Sequence, residues 1–197
     1  MGDRIVLASS NSGKLREFTA LLSTHGLTVV PQQHLGVSAA DEPHATFLEN
    51  ALAKARHAAA ATGLPALADD SGLCVAALGG APGVRSARFA GERAGDFDNN
   101  AELLRRMSGV SDRRAHYTCV LVALRSADDP EPLIADARWH GEILEKPRGS
   151  GGFGYDPLFF VPAEGKAAAE LDVSVKNRIS HRGLALAELA RRLPEWR

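Results

Sequence analysis

Apolar and polar residues at the start of the chain follow the order expected of an α/β fold. A run of apolar residues predicts a buried strand at residues 4–8, and a small polar loop follows it. Apolar residues at helical spacing then predict a helix over residues 14–24. Gly26 ends that helix, and residues 27–30 are predicted to form a second strand. Strand, loop, helix and strand in this order are typical of an α/β domain.

The rest of the chain continues to alternate between helical and extended patterns. The longest helical pattern covers residues 45–62 and is followed by Gly63 and Pro65. A short strand at residues 65–68 then runs into Asp69-Asp70-Ser71-Gly72. The remaining predicted elements are helices at residues 97–107 and 166–171, strands at 117–124, 133–143 and 158–161, and a final helix capped by Ser180. Because no repeat or linker-rich segment interrupts this pattern, residues 1–197 are predicted to form a single domain.

Composition changes this picture only by excluding some classes of function. Lys and Arg together number 23 against 24 for Asp and Glu, which gives a net charge of −1. A nucleic-acid-binding surface normally needs an excess of cations on one face, so no nucleic-acid partner is expected. No apolar stretch approaches the roughly 18 residues of a membrane helix, so no membrane association is expected and the cytoplasm is the predicted compartment. Cys74 and Cys119 lie in apolar sequence and are predicted to be buried thiols.

The loop Ser9-Ser10-Asn11-Ser12-Gly13-Lys14 is the first candidate for chemistry. Its amides and hydroxyls and the start of the following helix offer donors that suit a phosphate group. Lys14 and Arg16 add positive charge in the first helical turn, where the helix dipole disfavours cations and a bound anion would offset the penalty. The loop is not a Walker P-loop, because the leading glycine is missing and Leu15 follows the lysine. On its own it fits a phosphate site and a capped helix with a solvated lysine equally well.

Two adjacent acids, Asp69 and Asp70, follow the short predicted strand and form the second candidate. Neighbouring residues in extended backbone point to opposite sides, so one acid can bind Mg²⁺ or activate water while the other orients or caps. An acidic turn without chemistry is the alternative. Four polar residues around the long helix, taken alone, are better explained as ordinary surface residues: Glu42, Glu49, Asn50 and Lys54.

Glycine is densest in Gly151-Gly152-Phe153-Gly154-Tyr155-Asp156-Pro157, which is the third candidate. Glycines allow the backbone to approach a ligand closely. Phe153 and Tyr155 can stack on a base, and Asp156 can accept a hydrogen bond from a ring N–H. A glycine-rich hairpin with aromatic plugs is the alternative.

A fourth candidate combines Lys176 with Ser180-His181-Arg182-Gly183 at the start of the last helix. Donors of this kind suit a keto oxygen or a phosphate, and a solvated helix end is the alternative. Ser71 lacks the Gly-x-Ser-x-Gly context of a serine hydrolase, and the histidines show no zinc-binding spacing.

Taken in order, six segments closely resemble the inosine/xanthosine triphosphate pyrophosphatase family. They are Ser-Asn-Ser-Gly-Lys at residues 10–14, Thr46-Phe47-Leu48-Glu49-Asn50-Ala51 with Lys54-Ala55, Leu67-Ala68-Asp69-Asp70-Ser71-Gly72-Leu73, Gly79-Gly80-Ala81-Pro82-Gly83, residues 151–159, and Ser180-His181-Arg182-Gly183. Each motif is weak alone, but the ordered set is specific and covers nearly the whole chain.

The resemblance implies an elongated, two-lobed α/β fold with a central mixed β-sheet, a nucleotide cleft between the lobes, and a homodimer. It implies hydrolysis of noncanonical purine nucleoside triphosphates (ITP, dITP, XTP) to the monophosphate and pyrophosphate, with Mg²⁺ as cofactor. By position, Asp70 corresponds to the general base and, together with Glu42, to the metal ligands. The positions that correspond to substrate contacts are Ser9, Ser10, Asn11, Ser12, Gly13, Lys14, Lys54, Ser71, Phe153, Gly154, Tyr155, Asp156, Lys176, His181 and Arg182.

One departure from the family pattern follows Asp41-Glu42, where the family often has Thr-Gly and this chain has Pro43-His44. Since Glu42 itself is present, metal binding is expected to be retained. Two other functions stay open: a Maf-type nucleotide pyrophosphatase, which prefers modified or pyrimidine nucleotides, and a nucleotide-binding module without turnover. The glycine and arginine patterns at residues 151–156 and 180–183 argue against the first, and the pair of Glu42 and Asp70 argues against the second.

Overall fold

The computed structural model describes residues 4–9 and 12–196, and of Ser12 and Glu17 it describes the backbone. Short 3₁₀ helices connect several of the main elements. Those elements, in chain order, are β1 (Arg4–Leu7), α1 (Ser12–Thr24), β2 (Thr28–Pro31), α2 (Phe47–Thr62), β3 (Ala66–Val75), α3 (Asp96–Arg106), β4 (Arg114–Leu124), β5 (Leu133–Ile143), β6 (Phe159–Val161), β7 (Lys166–Ala167), α4 (Val173–Ile179) and α5 (His181–Trp196).

The strands of the described chain form one mixed sheet in the order β2-β1-β3-β4-β5-β6-β7. Strand β1 runs parallel to both β2 and β3, whereas β6 is antiparallel to both β5 and β7. Parallel neighbours need crossover connections, and α1 and α2 lie in the connections that lead to β2 and β3. The predicted α/β class with a mixed sheet is therefore confirmed.

Chain contacts divide the protein into two compact units. Unit 1 comprises Met1–Asp70, Cys119–Asp136 and Ala185–Arg197, and unit 2 comprises Ser71–Thr118 and Ala137–Leu184. The prediction that the whole chain acts as a single domain stays a prediction.

The core of unit 1 is rich in alanine. The inner face of α2 presents Ala51, Ala55, Ala58 and Ala59, each at most 2% exposed, to residues of β1, β3 and β4. Small side chains let a helix approach a sheet closely. The polar residues along the edge of this face are thereby brought near the strands.

The core of unit 2 is aromatic instead. Tyr117, Trp139 and Phe159 pack against one another with ring centroids 4.8–6.2 Å apart. The same buried cluster includes Leu73, Leu103, Met107, Ile143, Leu158 and Val161. Aromatic rings bury large areas in defined geometry, so this core is well packed.

Two predicted elements differ from the structure by more than a few residues at their ends. Strand β3 does not end at residue 68 but continues through Asp69 and Asp70 to Val75, because both acids find partners while buried. The predicted helix at residues 166–171 is wrong: β7 and a 3₁₀ turn occupy it, and α4 follows. Cys119 is buried as predicted, and Cys74 is half-buried. In the part of the chain that the structure describes, every helix is too short or too polar to cross a membrane.

Candidate active site

The two acids of β3 point to opposite sides of the strand. Ala66, Ala68 and Asp70 alternate with Leu67 and Asp69. Since Ala66 and Ala68 pack against α2, Asp70 faces α2 as well, while Asp69 faces the start of α1. The prediction that the two acids serve different sides is confirmed, although they lie within a strand and not after it.

Asp69 forms an ion pair with Lys14 from the first turn of α1. Lys14 Nζ donates to Asp69 Oδ2 at 2.5 Å, and the Asp69 side chain is almost completely buried. A cation at a helix N-terminus is disfavoured by the helix dipole, and Asp69 supplies the anion that offsets this penalty. The two ends of the ion pair are 55 residues apart in sequence, which is why the loop pattern alone did not reveal it.

Asp70 and Glu42 share a single lysine from α2. Lys54 Nζ lies 2.6 Å from Glu42 Oε1 and 3.5 Å from Asp70 Oδ1. Two carboxylates from separate segments therefore converge on one cation. Lys14, Glu42, Lys54, Asp69 and Asp70 together are called the carboxylate–lysine cluster below.

Asn50, which sequence reasoning left on the helix surface, is completely buried beside Asp70. Its Nδ2 donates to Asp70 Oδ2 at 3.1 Å and to the carbonyl of His44 at 3.3 Å, while its Oδ1 accepts from the amide N–H of His44 at 3.0 Å. One amide side chain thus links Asp70 to the segment that carries Glu42. These contacts use only the backbone of His44, so they do not depend on the side chain at that position.

The surroundings change the acidity of two groups in this cluster. Burial raises the pKa of Asp70, Lys54 opposes the increase, and the nearby Glu42 carboxylate adds to it. Burial alone would lower the pKa of Lys54, but the carboxylates of Asp70, Asp69 and Glu42 outweigh it and raise the pKa overall. Asp70 is therefore a stronger base when ionised than an ordinary surface aspartate.

A cavity of about 180 Å³ opens beside the carboxylate–lysine cluster. It is lined by Ala8, Ser9, Lys14, Gln32, Ala39, Ala40, Glu42, Lys54 and Asp69. Gly13 lies at the start of α1, and Ser12 is described only by its backbone. The predicted contacts Ser10 and Asn11 lie outside the described residues.

A second cluster of charged and aromatic residues lies in unit 2, around Asp156. This buried carboxylate accepts a hydrogen bond from the amide N–H of Phe153 at 2.8 Å and another from Lys176 Nζ. At Gly152, whose φ is +75°, a Cβ atom would come within 2.1 Å of Asp156 Oδ2. Only glycine fits there, so the loop is built around this carboxylate.

Cations lie near the ring of Phe153, although this residue is 55% exposed. Lys176 Nζ lies 4.9 Å and the guanidinium carbon of Arg182 5.6 Å from its centroid. His181 stacks on Tyr117 with centroids 4.7 Å apart, and both His181 and Arg182 are buried. Phe153, Asp156, Lys176, His181 and Arg182 form the aromatic–cation cluster.

The remaining predicted contacts occupy varied positions. The Tyr155 ring is buried, and its hydroxyl donates to the carbonyl of Ser86 at 2.8 Å. Gly154 has a φ of +61° and is bonded through its backbone to α3. Ser71 follows Asp70 on β3 and is half-buried. Ser180 Oγ accepts from the amide of Gly183 at 3.3 Å, which confirms Ser180 as the cap of α5.

A larger cavity in unit 2, of about 460 Å³, offers less chemistry. Arg113 lines it, but its guanidinium donates to the carbonyls of Met107, Ile143 and Leu144 at 2.7–2.8 Å. The carboxylate–lysine cluster remains the better candidate. Within residues 4–9 and 12–196, no three His, Cys, Asp or Glu side chains come close enough to hold a metal ion by themselves.

The fold is an α/β architecture with a mixed sheet, and the carboxylate–lysine cluster is its candidate site. Comparison with known proteins then identifies the family. Residues 5–192 match the Ham1 family. A protein of Burkholderia pseudomallei named "dITP/XTP pyrophosphatase" is 67% identical over 98% of this chain and 95% of its own length. A protein of the same name from Ralstonia nicotianae is 62% identical over 96% of both chains.

Solved structures agree with the sequence matches. A HAM1 protein from Coxiella burnetii superposes with a TM-score of 0.95, at 50% identity over 98% of each chain. The Ham1 protein of Staphylococcus aureus gives a TM-score of 0.90 at 38% identity, covering 98% of this chain and 100% of that one. The chain belongs to the Ham1 family. The resemblance to the inosine/xanthosine triphosphate pyrophosphatase family is thereby confirmed.

Proposed function

We propose that this protein hydrolyses noncanonical purine nucleoside triphosphates, namely ITP, dITP and XTP, to the monophosphate and pyrophosphate. The observation that carries the proposal is the convergence of Glu42, Asp70 and Lys54, with Lys14 and Asp69 beside them, next to a cavity in unit 1. The names of close relatives point to the same reaction. Removal of such nucleotides would cleanse the nucleotide pool.

The charge of the cluster supports a requirement for a divalent cation. Three carboxylates and two ammonium groups leave a net charge of −1, and a triphosphate brings about four more negative charges. Glu42 and Asp70 already share one cation, and carboxylate oxygens are ligands that Mg²⁺ prefers. These two residues would hold Mg²⁺, with phosphate oxygens and water as its other ligands. When bound, Mg²⁺ would neutralise phosphate charge and stabilise the charge that develops on the departing pyrophosphate.

Asp70 is proposed as the general base. Its carboxylate accepts a proton from a water molecule whose oxygen forms a bond to the α-phosphorus. The bond from that phosphorus to the oxygen bridging to the β-phosphate breaks, and its electron pair leaves with pyrophosphate. The raised pKa of Asp70 suits this role, because general-base catalysis is most efficient when the pKa approaches the working pH.

Residues of the phosphate loop and α2 are proposed to position the substrate. Lys14 and Lys54 offer ammonium groups to the phosphates, and Ser9 lines the same cavity. Ser10, Asn11, Ser12 and Gly13 are proposed contacts through loop amides and hydroxyls. Ser71 is a proposed contact as well.

The aromatic–cation cluster is proposed to recognise the base. The exposed ring of Phe153 offers a stacking surface, and His181 and Arg182 can donate to a keto oxygen of hypoxanthine or xanthine. Adenine carries an amino group at that position, so donors would face donors, which is costly in a buried site. Gly154, Tyr155, Asp156 and Lys176 are proposed contacts of the same loop and helix.

The test is an assay of pyrophosphate against orthophosphate with ITP, dITP, XTP, ATP and pyrimidine triphosphates. The expected result is one pyrophosphate per nucleotide, a preference for the three noncanonical purines, and loss of activity with a chelator that Mg²⁺ reverses. A preference for pyrimidine nucleotides would favour the Maf-type alternative. Nucleotide binding without pyrophosphate release would favour a binding module.

A variant pair sharpens the metal assignment. Glu42→Gln should raise the Mg²⁺ concentration needed for half-maximal turnover roughly tenfold, because one carboxylate ligand is lost. Asp41→Asn removes an exposed charge from the adjacent position and should leave that concentration unchanged. Equal effects of the two substitutions would remove Glu42 as a ligand.

The oligomeric state, the compartment and the domain organisation belong to the same proposal. We propose a homodimer in the cytoplasm, where the nucleotide substrates are found, built from chains that each act as a single domain. Light scattering coupled to size-exclusion chromatography tests the dimer.

A further inference from the structure

We infer that Asp96 and Asn100 of α3 are positioning residues that hold the loop of Phe153 in place for base recognition. The inference rests on the proposed function, because it assigns Phe153 a role in binding the purine. Asp96, Asn100 and Gly154 all belong to unit 2.

One face of α3 forms hydrogen bonds with both the amide N–H and the carbonyl of Gly154. Its amide N–H donates to Asp96 Oδ2 at 2.6 Å, and its carbonyl accepts from Asn100 Nδ2 at 2.8 Å. Residues four apart on a helix lie on the same face, so the two side chains act together. Asn100 Nδ2 also donates to the backbone carbonyl of Asp96 at 2.7 Å, which uses its second hydrogen and fixes the orientation of the amide.

These contacts restrain the backbone of Phe153 on both sides. The amide that precedes its Cα is bound by the Asp156 carboxylate, and the amide that follows is bound by the Asp96 carboxylate. Hydrogen bonds to charged acceptors are stronger than those between neutral groups. Gly154 has a φ of +61°, a conformation that favours glycine, and the two contacts from α3 hold the chain in it.

Phe153 carries a large ring, and the residue is 55% exposed. An exposed aromatic ring gains little from folding, yet this one is fixed at its backbone and has cations from Lys176 and Arg182 near its ring. A surface fixed in advance binds its ligand without the cost of ordering. The ring is therefore a preformed stacking platform for a purine, and Asp96 and Asn100 support it.

The chain offers a matched control on the same helical turn. Asp98 also carries a negative charge at the start of α3, where it interacts favourably with the helix dipole. Its Oδ2, however, accepts from the amide of Gly95 at 3.0 Å. Asp96→Ala and Asp98→Ala thus remove the same charge from the same turn. Only the first removes a contact to the loop.

The first readout is steady-state kinetics with ITP. Asp96→Ala should raise KM roughly tenfold and change kcat by less than about threefold, because the platform binds the base equally in the ground and transition states. Asp98→Ala should leave both within about twofold. Asn100→Ala should act in the same direction as Asp96→Ala, and Asp96→Asn, which keeps an acceptor, should restore most of the affinity.

The second readout is independent of turnover. Amide hydrogen exchange at residues 152–155 should become faster in Asp96→Ala and stay unchanged in Asp98→Ala. The dissociation constant for ITP, measured in an Asp70→Asn background, should rise by the same factor as KM. If the wild type released no pyrophosphate, the proposed function would fail. The amide exchange rates and the dissociation constant for ITP would still test whether Asp96 and Asn100 hold the loop of Phe153. Equal KM, dissociation constant and exchange for the two alanine variants would overturn the inference.

Discussion

Asp70 and Asp129 are both buried aspartates of unit 1, but their surroundings push their acidity in opposite directions. Asp70 is 7% exposed and Asp129 is 2% exposed, so both residues have little exposed surface. The pKa of Asp70 is raised, chiefly by burial. The pKa of Asp129 is lowered, chiefly by hydrogen bonds from the side chain of Arg125. The comparison separates a carboxylate whose charge the fold stabilises, Asp129, from Asp70, whose charge the fold stabilises only in part and which we propose as the general base.

Asp129 lies in the turn between β4 and β5, where the hydrogen bonds that its carboxylate accepts stabilise its charge. Its oxygens accept from Nε and Nη2 of Arg125 at 2.9 and 2.6 Å, and from the amides of Arg125 and Glu131 at 2.9 and 3.0 Å. A bidentate arginine and two amides satisfy the ionised form. The carboxylate thereby fixes the turn.

Asp70 lies among groups that only partly offset the cost of burying its charge. Asn50 donates at 3.1 Å and Lys54 lies 3.5 Å away, while the Glu42 carboxylate repels the ionised form. A folded state that keeps such a charge gives up stability, as functional sites commonly do. The comparison predicts that substitution of Asp70 lowers turnover without lowering stability. Substitution of Asp129 is predicted to lower stability without lowering turnover.

The largest effect on turnover is expected for Asp70→Asn. Loss of the base should lower kcat for pyrophosphate release from ITP by about 10²–10⁴-fold, while nucleotide binding persists. Because the pKa of Asp70 is raised, its ionised form destabilises the fold at neutral pH, so the melting temperature should be unchanged or higher. Kinetics, calorimetric binding and thermal unfolding check these three outcomes, with Asp129→Asn as the control that keeps its turnover. Near-normal turnover in Asp70→Asn would remove Asp70 as the base.

A smaller effect is expected for Asn50→Ala, which acts on Asp70 indirectly. The change removes a donor from Asp70 and leaves the backbone N–H and carbonyl of His44 without the Asn50 amide. The free energy of unfolding should fall by about 1–3 kcal/mol, and kcat by roughly 10–100-fold because Asp70 and Glu42 lose their link.

The control for Asn50→Ala lies on the same helix. Thr46 caps α2 by accepting from the amide of Glu49 at 3.2 Å, so Thr46→Ala should cost about 1 kcal/mol without touching Asp70. Urea unfolding and steady-state kinetics measure both variants. A fall in kcat that simply follows the loss of stability in both would refute a positioning role for Asn50.

The fold class was predictable because it depends on local periodicity. The strand at residues 133–143 was predicted at its observed bounds, since its apolar alternation is read within the segment itself. The strand predicted at residues 65–68 ended too early, because Asp69 and Asp70 look like turn residues in isolation. Their burial depends on lysines that are distant in sequence, such as Lys14 at 55 residues from Asp69, and no local pattern contains that information.

The candidate site was predictable only as far as motifs could be matched to a family. The structure brings Lys14, Glu42, Lys54 and Asp70 together in unit 1, but it also shows that Asn50, which taken alone was better explained as an ordinary surface residue, is buried. The signal that could have found Asn50 is its separation of four residues from Lys54, which puts both on the edge of the apolar face that meets β3. The partner atoms of Asn50 are largely backbone atoms of His44, which side-chain identity does not encode.

The smallest effect on turnover, and the most specific test of the comparison, concerns Asp129→Asn. The folded-state pKa of Asp129 lies below its unfolded value of about 3.9, so its ionised form stabilises the fold above that pH. At pH 7 the substitution should lower the free energy of unfolding by about 2 kcal/mol, through weaker hydrogen bonds to Arg125 and Glu131. As the pH falls below about 4, the wild type loses this stability and the difference between the two proteins should shrink.

Urea unfolding at pH 7 and pH 3 measures this difference in the free energy of unfolding, with Asp128→Asn at the exposed neighbouring position as control. A difference that persists unchanged at pH 3 would mean that the side chain of Asp129 stabilises the turn by its shape and not by its charge.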